Sequence, residues 1–160
     1  MTEPALHEQA ARIGYLLGTW RGAGKGEYPT IDSFVFQEEV RFTHNGKPFL
    51  AYAQRTWHPE KKLPMHAEMG YFRPLADGRM EIVIVQPTGI IEIQEGTYEG
   101  SRIDVSSTLV AKTTTAKEVA QLERTIEVDG DVMRYEVRMA AVGQPLQHHL
   151  GAELRKVTES

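Results

Sequence analysis

No cysteine occurs in the 160 residues. That excludes disulfides, zinc ribbons, iron–sulfur clusters and thiol catalysis, and leaves the redox compartment open. There is no surplus of positive charge either: 18 Lys and Arg stand against 22 Asp and Glu, for a formal net charge of -4. This balance argues against nucleic acid or an anionic membrane as the main partner. No apolar run approaches the ~20 residues of a membrane-spanning helix. The N-terminus lacks the basic stretch followed by an apolar run that marks a signal peptide, so we expect a cytoplasmic soluble protein. Gly-x-Ser-x-Gly is missing, and with it the usual nucleophile elbow of a serine hydrolase. No internal repeat is present.

What remains is ordinary globular composition, 41% hydrophobic and 25% charged. The length suits one domain, residues 1–160, with a real core. Helical periodicity occurs once: Leu6, Ala10, Ile13 and Leu17 predict a short amphipathic helix over 5–17, with Pro4 near its start and Gly18 after its end. Beyond it the chain alternates with period two. Strands are predicted from Trp20, then over 34–44, 48–58, 65–75, 79–86, 90–98, 102–111, 118–128 and 132–140, with a last one at His149. Asn45-Gly46, Asp77-Gly78 and Asp129-Gly130 are hairpin turn signals. About ten short strands joined by tight turns imply a sandwich or a barrel, and a meander of hairpins favours an all-β, antiparallel up-and-down barrel. Such a barrel can enclose one ligand. The lone early helix is expected to cap one mouth.

Gly18-Thr-Trp-Arg-Gly-Ala-Gly24 invites a phosphate-loop reading, but the Walker spacing and a following helix are both missing. Alternate glycines in a strand instead allow bending or close approach of another backbone, with Trp20 plugging one end. The carboxylates are scattered along polar strand faces and are expected to be mostly solvated. Met65, Met69, Met133 and Met139 fall on apolar strand faces, where methionine fills gaps and contacts aromatic surfaces well.

The last strand carries His148 and His149 side by side. Adjacent strand residues face opposite sides, so at most one enters a barrel. One inward histidine is poor for zinc and sufficient for haem iron; a loop pair with no duty is the plain alternative. Leu150, Ala152 and Leu154 share the face of His148, so strict alternation nominates His148. A bulge or an open mouth would re-aim His149.

Five motifs in order carry a resemblance: Gly18 to Gly24, Tyr28-Pro-Thr-Ile31, Pro64-Met-His-Ala-Glu68 with Gly70-Tyr-Phe-Arg73, Gln86-Pro-Thr-Gly89, and Gln147-His-His-Leu-Gly-Ala152. Over residues 16–157 the chain resembles the nitrobindin family, related to the C-terminal nitrobindin domain of THAP-type proteins. The resemblance implies a ten-stranded barrel akin to fatty-acid-binding proteins and lipocalins. It implies one ferric haem b (heme b) at one mouth, with His149 as the proximal iron ligand. Met65, His66 and Met139 would lie near the haem, Thr30 would be a pocket contact, and Lys117 would approach the propionates. His66 is left with two roles, a hydrogen-bond donor on the distal side or a contact of the haem edge. Family members are similar in isomerising peroxynitrite to nitrate and binding nitric oxide. The same ferric haem would serve a nitric oxide sensor or carrier without turnover. A metal-free carrier of an apolar ligand would instead need a buried Arg/Tyr pair for a carboxylate, whereas the sequence displays a histidine flanked by methionines. The oligomeric state is not set by these features, and a homodimer is compatible with them.

Overall fold

The computed structural model describes residues 2–158. Ten strands follow one another: β1 (Gly18–Tyr28), β2 (Ile31–Thr43), β3 (Leu50–Trp57), β4 (Pro64–Pro74), β5 (Arg79–Gln86), β6 (Ile90–Glu99), β7 (Arg102–Lys112), β8 (Val119–Asp129), β9 (Val132–Ala141) and β10 (Gln147–Lys156). Each pairs antiparallel with its sequence neighbours, and β10 pairs back on β1 to close the barrel. Closure leaves no free sheet edge.

Alternation along each strand sorts side chains by depth. On β2 the inward set is Phe34, Phe36, Glu38, Val40 and Phe42, and Glu38 is as buried as its apolar neighbours. On β4 it is His66, Glu68 and Phe72. Repeated around the ring, this builds three layers. The closed end is an apolar core of Trp20, Phe42, Leu50, Phe72, Ile82 and Leu154. A middle layer carries Glu38, Gln54, Glu68, Glu92 and Arg124, and the third layer is the open mouth.

The expected cap on one mouth is present, but shorter than predicted and of another type. A 3₁₀ helix spans Ala10–Leu16, with Ile13 out of helical geometry. Upstream, the Gln9 N–H donates to His7 Nδ1, a local turn that competes with helix extension. Ala10, Ile13 and Leu16 are fully buried against the closed-end core. Trp20 is the plug the sequence suggested: its indole is buried and Nε1 donates to the Leu16 carbonyl at 2.8 Å.

The glycines of β1 do more than admit backbone. A Cβ at Gly24 or Gly26 would come within 2.3 Å of the Phe36 ring or 2.1 Å of the Phe34 ring. These glycines therefore let both phenyl rings lie against β1 at the mouth end.

One sequence expectation holds with exceptions here, and another reverses. Most carboxylates are solvated, but Glu38, Glu68 and Glu92 are buried inside the barrel. The apolar face of β4 is largely its outer face: Met69 is 59% exposed and lies outside with Tyr71, because the inner face belongs to His66, Glu68 and Phe72. Met133 packs in the closed-end core. Of the four methionines, Met65 and Met139 reach the cavity.

Because Trp20 is fully buried, Trp20→Ala removes both a large apolar surface and a hydrogen bond. We expect it to lower unfolding free energy by about 3–5 kcal/mol, measured by urea denaturation of the haem-free protein. Trp20→Phe, which keeps most of the volume, should cost clearly less.

Candidate functional site

The mouth opens into a cavity of about 520 Å³. Its upper wall is mainly apolar, with Ile31, Phe34, Phe36, Met65, Met139 and Leu150 among its residues. Gln54, Glu68, Glu92, Arg124 and Tyr135 form its floor.

His149 owes its place to a bulge. The β9–β10 ladder runs from His148 opposite Arg138 directly to Leu150 opposite Val137, so His149 is an extra residue on β10. The bulge breaks strict alternation and turns its imidazole to the cavity. His148 is exposed, with Nδ1 3.8 Å from Glu136 Oε1. Strand β1 is irregular at the same height, between Gly26 and Tyr28. The β1–β10 ladder ends at Gly26 opposite Leu150. Just beyond it, His149 Nδ1–H donates to the Glu27 carbonyl at 3.1 Å.

That bond fixes the tautomer and leaves the Nε2 lone pair available to a metal. Burial pushes the His149 pKa down and the Glu27 bond only partly opposes it, so the neutral ligand form is favoured. Two rings hold the imidazole edge-on: Tyr28 at 5.4 Å and Phe34 at 6.4 Å between centroids. Phe34 sits where Gly26 makes room for it. The Tyr28 hydroxyl accepts the Ala141 N–H at 2.9 Å and donates to the Met139 carbonyl at 3.1 Å, which stitches the mouth end of β9.

Met65, His66, Lys117, Met139 and His149 are brought together around one cavity. Lys117 is an exposed cation at its rim, in the β7–β8 connection. Thr30 stands apart. It is exposed in the tight β1–β2 turn and does not line the cavity, whereas the next residue, Ile31, does. His66 lies across the barrel, reached from β10 through β1, β2 and β3 to β4.

The floor was not foreseen. The Glu68 carboxylate accepts from Tyr52 Oη at 2.7 Å and from Arg124 Nη1 at 3.1 Å on one oxygen. The other oxygen faces His66 Nε2 at 3.1 Å. Burial alone would raise the Glu68 pKa; the Arg124 charge and the His66 bond overcome it and hold the group ionised. Glu38 accepts from Tyr135 at 2.6 Å and from Gln54 at 2.6 Å, yet burial dominates and its pKa is pushed up to about 7. Burial likewise raises Glu92, which accepts from Gln86 and Gln94.

The cavity fits a flat, mostly apolar cofactor with a polar rim. It offers apolar walls, one imidazole nitrogen and a rim lysine. Among the described residues no group of three His, Asp or Glu could hold a bare metal ion. A porphyrin needs only the single imidazole, because it supplies four nitrogens of its own.

Glu38 makes stability depend on pH. A carboxyl whose pKa is raised on folding stabilises fully below its unfolded pKa, and that share is lost as pH rises through the folded value. From the ordinary 4.5 to about 7 the loss is about 3 kcal/mol. Glu92 and His66, both raised, act in the same direction. We expect thermal melts of the haem-free protein to fall between pH 4.5 and 7, and Glu38→Gln to flatten that fall.

Comparison with known proteins agrees with this geometry. Residues 9–156 match the model of the THAP4-like, heme-binding beta-barrel domain. The chain is 49% identical over 156 residues to a protein of Arabidopsis thaliana named peroxynitrite isomerase Rv2717c, spanning 96% of this chain and 92% of that one. It is 50% identical to the peroxynitrite isomerase of Nocardia farcinica, across 95% and 93% of the two chains. The crystal structure of Rv2717c from M. tuberculosis superposes with a TM-score of 0.91 at 42% identity, covering 96% of this chain and all of that one. A match this long, on a barrel whose single inward-bulged histidine faces an apolar mouth, makes the chain a member of the THAP4-like, heme-binding β-barrel family.

Proposed function

We propose that the protein isomerises peroxynitrite to nitrate at a ferric haem b held in the barrel mouth through His149. The observation that carries this reading is the bulge on β10, which aims one imidazole into the cavity with Nε2 unpaired among the described residues. Relatives named peroxynitrite isomerase, at about half identity over nearly the whole chain, support it.

When bound, haem supplies an open coordination position that acts as a Lewis acid toward an oxygen of the anion. The chain supplies the rest. Glu27 fixes the His149 tautomer, and Tyr28 and Phe34 hold the ring. Met65, Met139 and Leu150 offer apolar surface to the macrocycle, and Lys117 at the rim suits a propionate. The walled cavity would hold the anion in place beside the haem and keep it from diffusing away before it is converted. Isomerisation conserves every atom and electron of the anion, so no reductant has to enter.

The same site would bind nitric oxide. A sensor or carrier without turnover is separated from an isomerase by the nitrate yield alone. The metal-free carrier reading has a specific observation behind it: Arg124 and Tyr52 form the buried Arg/Tyr pair that the sequence did not reveal. Glu68 already occupies that pair, so the anion is provided by the chain itself and no ligand carboxylate is needed. We further take the protein to be cytoplasmic; a homodimer is compatible with the exposed outer-wall patch of Met69, Tyr71, Val85 and Ile91.

Hemin titration and stopped-flow decay of peroxynitrite, with nitrate quantified, test the reading. The wild type should develop a Soret band and convert the anion to nitrate faster than buffer does. His149→Leu should lose both, and His148→Leu should keep both. A normal Soret band in His149→Leu would contradict the ligand assignment.

A further inference from the structure

His66 and Arg124 grip opposite oxygens of one carboxylate. Glu68 Oε2 takes His66 Nε2 at 3.1 Å, and Oε1 takes Arg124 Nη1 at 3.1 Å and Tyr52 Oη at 2.7 Å. Glu68 is therefore locked from three strands, β3, β4 and β8. Because an ionised carboxylate only accepts, the His66 bond places a proton on Nε2. The His66 main-chain N–H is fixed as well, donating to Thr56 Oγ1 at 3.0 Å. The ring is pinned at one nitrogen. Its Nδ1 has no protein partner among the described residues, and the side chain is one-third exposed on the cavity wall.

The charges around this corner favour an anion. Glu68 is neutralised by Arg124 beside it. Glu38 and Glu92 are held toward their neutral forms by burial. Burial alone would discharge His66, but the Glu68 bond and charge raise its pKa. The ring is thus held toward its charged form, in which it and Arg124 outweigh the single carboxylate Glu68. Arg124 Nε, buried without an acceptor among the described residues, adds an unpaired donor to the same floor. An imidazolium Nδ1–H on the cavity wall makes a charge-assisted hydrogen bond to an oxyanion.

Resting on the function proposed above, we infer that His66 is the oxyanion-holding group of the cavity, binding peroxynitrite and its product nitrate through Nδ1–H, with Glu68 as the positioning residue that fixes it. Donation from Nδ1 belongs to the imidazolium form, since the neutral ring with its proton on Nε2 keeps a lone pair on Nδ1; the Glu68 contact favours the charged form and so favours donation over an edge contact. The groups that face it are Glu68 on its own strand, Tyr52 from β3, Glu38 from β2, Glu92 from β6, Arg124 from β8, Tyr135 from β9, His149 from β10 and Lys117 from the β7–β8 connection.

The test is a nitrate titration followed by ¹⁵N-edited NMR of the histidine rings, on haem-free and haem-loaded full-length protein. In the wild type the His66 ring should be protonated at neutral pH and should shift with nitrate. His66→Gln leaves the Glu68–Arg124–Tyr52 lock intact and keeps the Soret band. It should lower kcat/KM for peroxynitrite about tenfold, the weight of one charge-assisted hydrogen bond. Glu68→Gln should discharge the ring at neutral pH and weaken the nitrate response by a similar factor. A neutral wild-type ring indifferent to nitrate, or wild-type kcat/KM in His66→Gln, would overturn the inference. If the haem-loaded wild type fails to isomerise while His66 still answers to nitrate, the functional reading falls and the anion site stands.

Discussion

The hydrogen bond from His149 to the Glu27 carbonyl spans the seam where the first and last strands meet. Both strands are irregular at this height, and the ladder that closes the barrel ends there. A bulge frees main-chain groups from the ladder and redirects a side chain. Here the freed carbonyl takes the redirected imidazole, so the device that interrupts pairing also fixes the ligand. Without the bulge, strict alternation would put His149 on the outer surface, out of phase with the inward Leu150 and Leu154. The cavity would then keep its walls and lose its ligand.

Beneath the mouth, the polar layer governs where the core stops. Burying Glu68, Arg124, Glu38 and Glu92 is expensive, and an apolar filling of equal volume is often at least as stable. The layer holds because each carboxyl has partners: Arg124 and Tyr52 on Glu68, Tyr135 and Gln54 on Glu38, Gln86 and Gln94 on Glu92; Gln54 Oε1, Gln94 Oε1 and Arg124 Nε are left without one among the described residues. It separates the packed closed end from the open one. Stability is thereby concentrated around Trp20 and the 3₁₀ helix, and the mouth is left free to accept a cofactor.

Period-two alternation and the Asp-Gly turns were enough to place the strands within a few residues, because hairpin geometry is local; Asn45-Gly46 marks a connection between β2 and β3, but a longer one, over residues 44–49, than a two-residue turn. The 3₁₀ helix was legible as an apolar cap but not in type, since its shortening depends on the turn at His7. Face assignment failed on β4. Its outer residues Met69 and Tyr71 are more apolar than the inner His66 and Glu68, and hydrophobicity alone then points the wrong way. Glu38 carried a usable signal, standing in phase with Phe36, Val40 and Phe42 on a strand whose inward set is otherwise aromatic or aliphatic. Which histidine faces inward was beyond alternation, because a bulge adds a residue without any mark in composition. The Arg124–Tyr52 pair joins residues far apart in the chain, so it becomes visible only when the ring closes.

The central claim is that a porphyrin sits in the mouth, bonded through His149 above an intact polar floor. A crystal structure of the protein grown with excess hemin tests it most directly. The account predicts iron on His149 Nε2, with Nδ1 still on the Glu27 carbonyl and Glu68 still between Arg124 and His66. Iron bonded to another group, or a mouth filled by its own side chains, would contradict it.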